Sequence, residues 1–320
     1  MSGKIIVVNE LIDQELQDKI REAAAKYDYT CAFFNSEEEA LPYAPEADII
    51  YGRGLELVKK ADHLKWIHIP WAGVDPYIVP GVIREGCLLS NSAGAYGVTV
   101  SEHMVMMTLM LLRGEMVFAE NMRKKDWSSP IPQKTIKESR VLVLGAGDIG
   151  KCYARRLRPF EPASLIGVSR SGRGDDPCFD KVVPVSEVDT YLPDCDILAM
   201  CLPSTPDTVD FMDEKRLRSL KKGAYIVNVG RGTAIDEAVL KELLENETLS
   251  GAALDVFRHE PLPENDPLWG TKNLLMTPHV AGNLTARYTL WKNVDMFCED
   301  LANFAEGRPM KYLVDRVHGY

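Results

Sequence analysis

A glycine-rich turn between a predicted strand and a predicted helix is the feature that most constrains the fold of this chain. Residues 141–150 read VLVLGAGDIG, so four apolar residues precede Gly145, Gly147 and Gly150 at G-x-G-x-x-G spacing. The apolar run predicts a buried parallel strand, and the pattern of Lys151–Leu157 predicts the helix after it. In that context the glycines permit a tight turn, close approach of a pyrophosphate and close helix–strand packing. The segment therefore predicts a dinucleotide site at a helix N-terminus.

Alternating strand and helix patterns lie on both sides of this turn. Before it, short apolar segments predict an α/β unit that has no phosphate-binding loop of its own. The predicted strands of that unit are Ile5–Val8, Thr30–Phe34, Asp48–Tyr51, Leu64–Ile69 and Cys87–Leu89. After the turn, the pattern predicts a doubly wound parallel sheet. Its predicted strands lie at 141–144, 164–168, 196–201, 224–229, 251–254 and 274–276.

The chain is long enough for two domains, each with its own core. A helix predicted at 285–306 closes the chain, and we expect it to cross back to the first domain. We therefore predict an α/β protein of two Rossmann-like, doubly wound domains with parallel sheets and the active site in the inter-domain cleft. The predicted substrate-binding domain is 1–97 completed by 286–320, and the predicted dinucleotide-binding domain is 98–285.

Composition and charge exclude several other classes of protein. The formal net charge of −10 argues against broad binding of nucleic acid or of an anionic membrane. The seven cysteines are scattered without C-x-x-C pairs, which is typical of buried thiols in a reducing compartment. The N-terminal apolar run is too short for a signal peptide, and no window approaches a membrane span. We expect a cytoplasmic protein with no metal site.

The end of the second predicted strand of the dinucleotide domain bears on the choice of cofactor. An acidic residue about 20 positions past the glycines is the mark of NAD, because it binds the ribose hydroxyls. Ser169 stands there instead, and Arg170 and Arg173 follow it. A hydroxyl and guanidinium groups suit a 2′-phosphate, which favours NADP(H) over NAD(H). Two alternatives stay open: the arginines are solvated loop charges, or Asp175 or Asp176 binds the ribose from an unusual loop.

Three charged side chains follow successive predicted strands of the same sheet. Arg231 follows one strand, Glu260 follows the next and His279 follows the third. Singly, each has an ordinary explanation as a solvated or loop charge, and the neighbouring His259 is a weaker candidate. Together on a dinucleotide fold they fit carbonyl reduction, in which a histidine moves the proton, a carboxylate supports it and an arginine binds developing charge or a carboxylate.

On these motifs the chain resembles the D-isomer-specific 2-hydroxyacid dehydrogenase family over almost its whole length. The family's catalytic arginine, glutamate and histidine fall on Arg231, Glu260 and His279. Residues 314–320 and the Val-Ser-Arg-Ser segment at 168–171 are most similar to the glyoxylate/hydroxypyruvate reductase branch, which tends to use NADPH. The resemblance implies NAD(P)H-dependent reduction of a small 2-keto acid to the D-2-hydroxy acid, with the proton supplied by His279.

The resemblance also implies the residues around the cofactor and the substrate. The implied cofactor contacts are Gly145, Gly147, Asp148, Ile149, Gly150, Ser169, Arg170, Ser171, Arg173, Cys201, Leu202, Pro203, Thr208, Val229, Gly230, Asp255, Ala281 and Gly282. The implied carboxylate-binding turn is Trp71, Ala72, Gly73 and Val74. Trp71 is an expected pocket wall or an inter-domain packing residue, and Arg53 an expected carboxylate ligand or a solvated charge. Tyr96 and Trp127 are weaker candidates.

A helix predicted at 101–113 is apolar nearly all round, which is typical of burial on more than one side. Because the family dimerises through this region, we expect a homodimer that uses 104–113 and the predicted loop 124–133. Two other functions stay open. Some relatives with the same three charged residues are NAD(H)-sensing interaction proteins, and other dehydrogenases act on different substrates, such as phosphonates or amino acids.

Overall fold

The structure is a computed structural model that describes residues 3–128, 131–174 and 176–316. The chain divides into two compact units, which we call the first unit (1–96 and 283–320) and the second unit (97–282). The returning C-terminal segment thus belongs to the same unit as the N-terminal one. No helix among the described residues is long and apolar enough to cross a membrane.

The first unit has a parallel sheet whose strands at 49–52 and 66–69 are buried along their whole length. Its strands within the described residues are β1 (Gly3–Val8), β2 (Tyr29–Phe34), β3 (Ile49–Gly52), β4 (Trp66–Ile69) and β5 (Leu88–Asn91). They pair in the order β2–β1–β3–β4–β5. Three predicted boundaries of this sheet were wrong by two residues. β1 starts at Gly3, β4 starts at Trp66 because Leu64 is held in a turn by the Ala61 carbonyl, and β5 continues to Asn91.

Helices cover both faces of that sheet. They are α1 (Gln14–Ala25), α2 (Glu37–Ala40), α3 (Leu55–Lys60) and, from the end of the chain, the long α10 (Arg287–Ala305). On the α1/α10 face, the ring of Phe297 stacks on Tyr51 at 4.5 Å and on Trp66 at 5.2 Å between centroids. These buried aromatic contacts fix α10 on the first sheet.

The second unit has the larger parallel sheet. Its strands within the described residues are β6 (Arg140–Leu144), β7 (Ser164–Ser169), β8 (Lys181–Pro184), β9 (Ile197–Met200), β10 (Tyr225–Asn228), β11 (Gly251–Leu254) and β12 (Leu274–Met276). They pair in the order β12–β11–β10–β9–β6–β7–β8. The prediction of two parallel α/β sheets is confirmed. The edge strand β8 was not predicted, because it has only one fully buried residue, Val183, between Lys181 and a terminal proline.

The helices of the second unit include one that sequence analysis missed. They are α4 (Gly97–Arg113), α5 (Glu115–Lys124), α6 (Asp148–Leu157), α7 (Val188–Tyr191), α8 (Glu214–Ser219) and α9 (Glu237–Glu245). The predicted start of α4 at Ser101 was wrong by one turn. The missed helix α5 follows a left-handed Gly114 and buries no residue, so its sequence lacks the apolar face that identifies a helix. The described part of the predicted loop, 125–128 and 131–133, is non-helical.

A buried histidine links β4 to β5 in the first unit. His68 is fully buried, with Nδ1 2.7 Å from the Ser90 hydroxyl and Nε2 2.9 Å from the Ser92 hydroxyl. The indole of Trp66 donates to Ser90, and Ser92 donates to the Ile69 carbonyl. Ser92 therefore accepts from Nε2–H, and Ser90 donates to Nδ1, which fixes the neutral tautomer. Burial lowers the pKa of His68 to about 3.

This buried histidine predicts a pH dependence of stability. The unfolded chain takes up a proton on His68 near its ordinary pKa of 6.5, whereas the folded protein does not until about pH 3. The free energy of unfolding therefore falls as the pH drops below about 6.5. We expect His68→Gln to reduce that fall by about 2–3 kcal/mol between about pH 6 and pH 4, measured by chemical denaturation. The matched control is His63→Gln, because His63 is exposed; equal slopes in wild type and His68→Gln would contradict the prediction.

Candidate active site

The glycine turn of the second unit follows β6 and begins α6. Gly145 has a left-handed φ of +100°, and a Cβ on it would lie 2.7 Å from the Cys201 carbonyl oxygen. A Cβ on Gly150 would lie 2.1 Å from the Gly145 carbonyl oxygen, whereas a Cβ on Gly147 would meet nothing within 4 Å. Close packing therefore requires glycine at 145 and 150, whereas Gly147 leaves an open space at the N-terminus of α6. This open space and the exposed helix N–H groups fit a pyrophosphate.

The segment after β7 carries the residues predicted to select the cofactor. Ser169 ends β7, and its hydroxyl donates to the Arg173 carbonyl at 3.3 Å. The side chains of Arg170 and Arg173 are exposed. Asp176 accepts from the Arg155 guanidinium at 2.6 Å and caps the Cys178 N–H.

Asp175 and Asp176 are the two aspartates that could bind the ribose instead, and the structure describes only Asp176. The Cys178 hydrogen bonds, and then the Arg155 guanidinium, lower the pKa of Asp176. Its carboxylate is thus already engaged by α6, which does not favour a ribose role. Asp175 lies outside the described residues, as does the greater part of the C-terminal segment 314–320.

The segment Gly230-Arg231-Gly232 is pressed against two neighbouring loops. A Cβ on Gly230 would lie 2.6 Å from the Leu202 carbonyl oxygen, and a Cβ on Gly232 would lie 1.9 Å from the Phe257 carbonyl carbon. The buried amide of Asn228 donates to the Arg231 carbonyl and accepts from the Gly230 N–H. Asn228 was not predicted as a site residue, although an asparagine at the end of an apolar strand is a local signal for such contacts.

The two carboxylates after β11 have different tasks. Glu260 accepts the Phe257 N–H on Oε1 at 2.8 Å and contacts His279 Nδ1 through Oε2 at 2.6 Å. Asp255 is buried and accepts the Thr277 hydroxyl and the Val280 N–H on Oδ1.

The other oxygen of Asp255, Oδ2, accepts the Ala281 N–H at 3.0 Å. The backbone carbonyl of Asp255 accepts the His279 N–H at 2.8 Å. Asp255 therefore holds the loop after β12 on both sides of the histidine, whose φ of +52° lies in the left-handed region.

The geometry fixes which ring atom of His279 is available for chemistry. Because an ionised carboxylate only accepts, Nδ1 of His279 carries the hydrogen shared with Glu260. Nε2 is thus the ring nitrogen that has no hydrogen-bond partner among the described residues. The side chain of His279 is 49% exposed, so a ligand can reach it. An adjoining cavity of about 580 Å³ has mostly apolar walls, which include Phe257, Trp269 and Met276.

Helix α4 supports this loop through a histidine that sequence analysis missed. The Thr277 hydroxyl donates to Asp255, so its oxygen accepts from His103 Nε2 at 3.1 Å. Burial lowers the pKa of His103, and the Asp255 carboxylate opposes that shift. The chain His103–Thr277–Asp255 therefore connects α4 to the loop of His279.

The remaining predicted cofactor residues of the second unit form strand-end loops. The Thr208 hydroxyl closes the 203–208 loop by donating to the Pro203 carbonyl at 2.7 Å. Val229 continues β10 through a backbone hydrogen bond to Met200. Burial raises the pKa of the Cys201 thiol to about 12, so this thiol stays protonated. Leu202 and Gly282 also lie in loops, whereas Ile149 lies in the first turn of α6.

In the first unit, the predicted carboxylate-binding turn is held by its carbonyl groups. The Ile69 carbonyl accepts the Ser92 hydroxyl, and the Trp71 carbonyl accepts the Ser92 N–H. Tyr96 and Asn293 both donate to the Pro70 carbonyl, and Asn91 donates to the Ala72 carbonyl at 2.7 Å. All four successive carbonyls of 69–72 are therefore fixed. The role of Tyr96 here is to hold the turn.

The N–H groups of the same turn remain available for a ligand. No acceptor among the described residues takes a hydrogen bond from the N–H of Ala72, Gly73 or Val74. Consecutive unpaired N–H groups fixed in one turn form an anion-binding concavity.

Two further residues were weighed as substrate contacts from the sequence. Arg53 pairs with Glu10 at 2.8 Å, and the side chain of Trp127 is fully exposed.

A family model and individual relatives match this chain. The model for the D-isomer specific 2-hydroxyacid dehydrogenase NAD-binding domain matches residues 105–281. The chain belongs to the D-isomer-specific 2-hydroxyacid dehydrogenase family. It is accordingly an NAD(P)-dependent oxidoreductase of this family, and the family prediction is confirmed.

Relatives and solved structures place the chain near one branch of the family. It is 29% identical over 293 residues to glyoxylate/hydroxypyruvate reductase A of Salmonella paratyphi C, covering 89% of this chain and 88% of that one. A family protein of Aeromonas salmonicida superposes with a TM-score of 0.88 at 30% identity, covering 99% and 100%. The NADPH-dependent glyoxylate/hydroxypyruvate reductase of Sinorhizobium meliloti, solved with NADP and sulfate, gives 0.80 at 26%, covering 99% and 100%.

Proposed function

We propose that this enzyme reduces a small 2-keto acid of the glyoxylate/hydroxypyruvate type to the D-2-hydroxy acid. The observation that carries the proposal is the 2.6 Å contact between Glu260 Oε2 and His279 Nδ1. This contact orients the imidazole and leaves Nε2–H to give its proton to the carbonyl oxygen as that oxygen becomes a hydroxyl. When bound, the reduced nicotinamide supplies the hydride for the carbonyl carbon.

Arg231 is the proposed cation of the site. Its Nη1 donates to the Gly230 carbonyl at 2.8 Å, which limits the motion of the side chain. A guanidinium has five N–H donors in a fixed plane, so the others can bind the substrate carboxylate and the carbonyl oxygen. The N–H groups of Ala72, Gly73 and Val74 are the proposed second ligand of the carboxylate.

We also propose that NADP(H) is the preferred cofactor. Ser169, Arg170 and Arg173 supply a hydroxyl and two exposed cations after β7, where an NAD enzyme has a carboxylate. The ion pair of Asp176 with Arg155 of α6 supports this proposal, because the Asp176 carboxylate is then not available to bind the ribose hydroxyls. The Sinorhizobium meliloti relative, which is NADPH-dependent, adds support.

A homodimer through α4, α5 and the segment after them is the proposed assembly. Helix α5 buries no residue, and three large apolar side chains of this region are exposed: Met106, Met122 and Trp127. Apolar groups exposed together are typical of a protein interface.

The catalytic assignment predicts that His279→Ala lowers kcat for the best 2-keto acid by about 10²- to 10⁴-fold, because the carbonyl oxygen loses its proton donor. The rate is measured from the nicotinamide absorbance with glyoxylate and NADPH. His259→Ala is the matched control, since His259 is a nearby exposed histidine with no proposed role. Near wild-type turnover of His279→Ala would contradict the assignment.

The cofactor proposal predicts that wild type has a higher kcat/KM for NADPH than for NADH. Arg170→Ala should reduce that ratio by about 10- to 150-fold, the value of one hydrogen bond to a phosphate. The kcat/KM for NADH should change little. Arg21→Ala, which removes an exposed arginine of α1 in the first unit, serves as the control. A wild-type enzyme that prefers NADH would show the cofactor assignment to be wrong.

The assembly proposal predicts a light-scattering mass twice that of the single chain at micromolar concentration. Replacing Met122 and Trp127 together by Ser and Lys should shift the protein toward the monomer, because both side chains are exposed in the single chain. The control is the pair Tyr43→Ser and Val79→Lys, which are exposed apolar residues of the first unit. A monomeric wild type would exclude the dimer.

A further inference from the structure

A small cavity in the first unit borders the proposed carboxylate-binding turn. Its volume is about 190 Å³, and its walls include Asn9, Glu10, Arg53 and Trp71. Because one water occupies about 30 Å³ of liquid, the cavity has room for a few heavy atoms beside the turn. Trp71 directly precedes Ala72, so the cavity begins where the available N–H groups begin.

One wall of this cavity has a buried donor without an acceptor. The amide oxygen of Asn9 accepts the Leu11 N–H at 3.0 Å, which fixes the orientation of the side-chain amide. The amide nitrogen Nδ2 is buried and has no hydrogen-bond partner among the described residues. Leaving such a group unpaired is costly, so an asparagine here is best explained by a ligand atom that accepts its hydrogen bond.

The charges of the cavity indicate which kind of ligand atom is favoured. The Arg53 Nη2 atom lies 2.8 and 2.9 Å from the two carboxylate oxygens of Glu10, so this cation is already balanced. A fully ionised group would lose its water without meeting a net positive charge. A neutral hydroxyl oxygen could accept from Asn9 Nδ2 without that penalty. Trp71 is an apolar wall of the same cavity.

We propose that Asn9, with Arg53 and Trp71, forms a side-chain subsite for a hydroxyl on C3 of the 2-keto acid. This inference rests on the proposed function, because the carboxylate on the 72–74 turn is what brings C3 to the cavity. The enzyme should therefore select a 2-keto acid with a C3 hydroxyl over one of equal size with a methyl group. Asn9 is in this respect a specificity-determining residue.

The test compares hydroxypyruvate with 2-ketobutyrate, which differ only in a hydroxyl against a methyl group. Wild type should show a kcat/KM at least about tenfold higher for hydroxypyruvate. Asn9→Asp keeps the oxygen that caps Leu11 and removes the N–H donor. Its ratio of the two kcat/KM values should fall by about tenfold or more. Asn246→Asp is the matched control, because Asn246 caps the Thr248 N–H in the second unit.

The possible outcomes test the subsite and the proposed function separately. A reduced ratio in Asn9→Asp, or in Asn9→Leu if the first variant does not fold, supports the subsite. Equal kcat/KM values for the two acids in wild type, or an unchanged ratio in the variants, overturn the subsite while glyoxylate reduction upholds the proposed function. Absence of all 2-keto acid reduction by wild type overturns the proposed function and the subsite with it.

Discussion

The buried carboxylate of Asp255 is the interaction on which the rest of the candidate site depends. Its two oxygens accept three hydrogen bonds from residues 277–281, and its carbonyl accepts the N–H of His279. A non-glycine residue at a φ of +52° is held there only when its neighbours leave no alternative. The imidazole is thereby aimed at Glu260 before any ligand binds. Such preorganisation lets a proton transfer proceed without rearrangement of the protein.

Close contact between loops transmits this constraint to the arginine. Gly232 has no room for a side chain because Phe257 lies against it, and the Phe257 N–H binds the same carboxylate that orients His279. The loop of Arg231 is thus packed on the loop of Glu260. All these loops leave the carboxyl ends of neighbouring parallel strands, which is why residues distant in sequence meet at one edge of the sheet.

The local sequence pattern was sufficient to predict the strands and helices that bury apolar residues. It was insufficient to predict the polar contacts that hold these elements together. The glycine turn and the strands before Arg231, Glu260 and His279 were predicted, because buried parallel strands have continuous apolar sequences. The edge strand β8 and the exposed helix α5 lack that signal. Contacts such as Asn293 with Pro70 join residues more than two hundred positions apart, and no local periodicity encodes them. His103 was missed for the same reason, because its partner Thr277 is 174 positions away.

Two histidines of this chain show how environment assigns a role to one residue type. His68 is enclosed between two serine hydroxyls, and burial keeps it neutral, so it serves as a fixed connection between strands. Half of the His279 side chain is exposed, and its partner is a carboxylate on one nitrogen only. The other nitrogen, Nε2, has no hydrogen-bond partner among the described residues and is available to a ligand. A histidine whose two nitrogens are both hydrogen-bonded within the protein stabilises the fold. A histidine with only one nitrogen hydrogen-bonded can exchange a proton through the other. This difference in hydrogen bonding distinguishes His68 from the candidate catalytic residue His279.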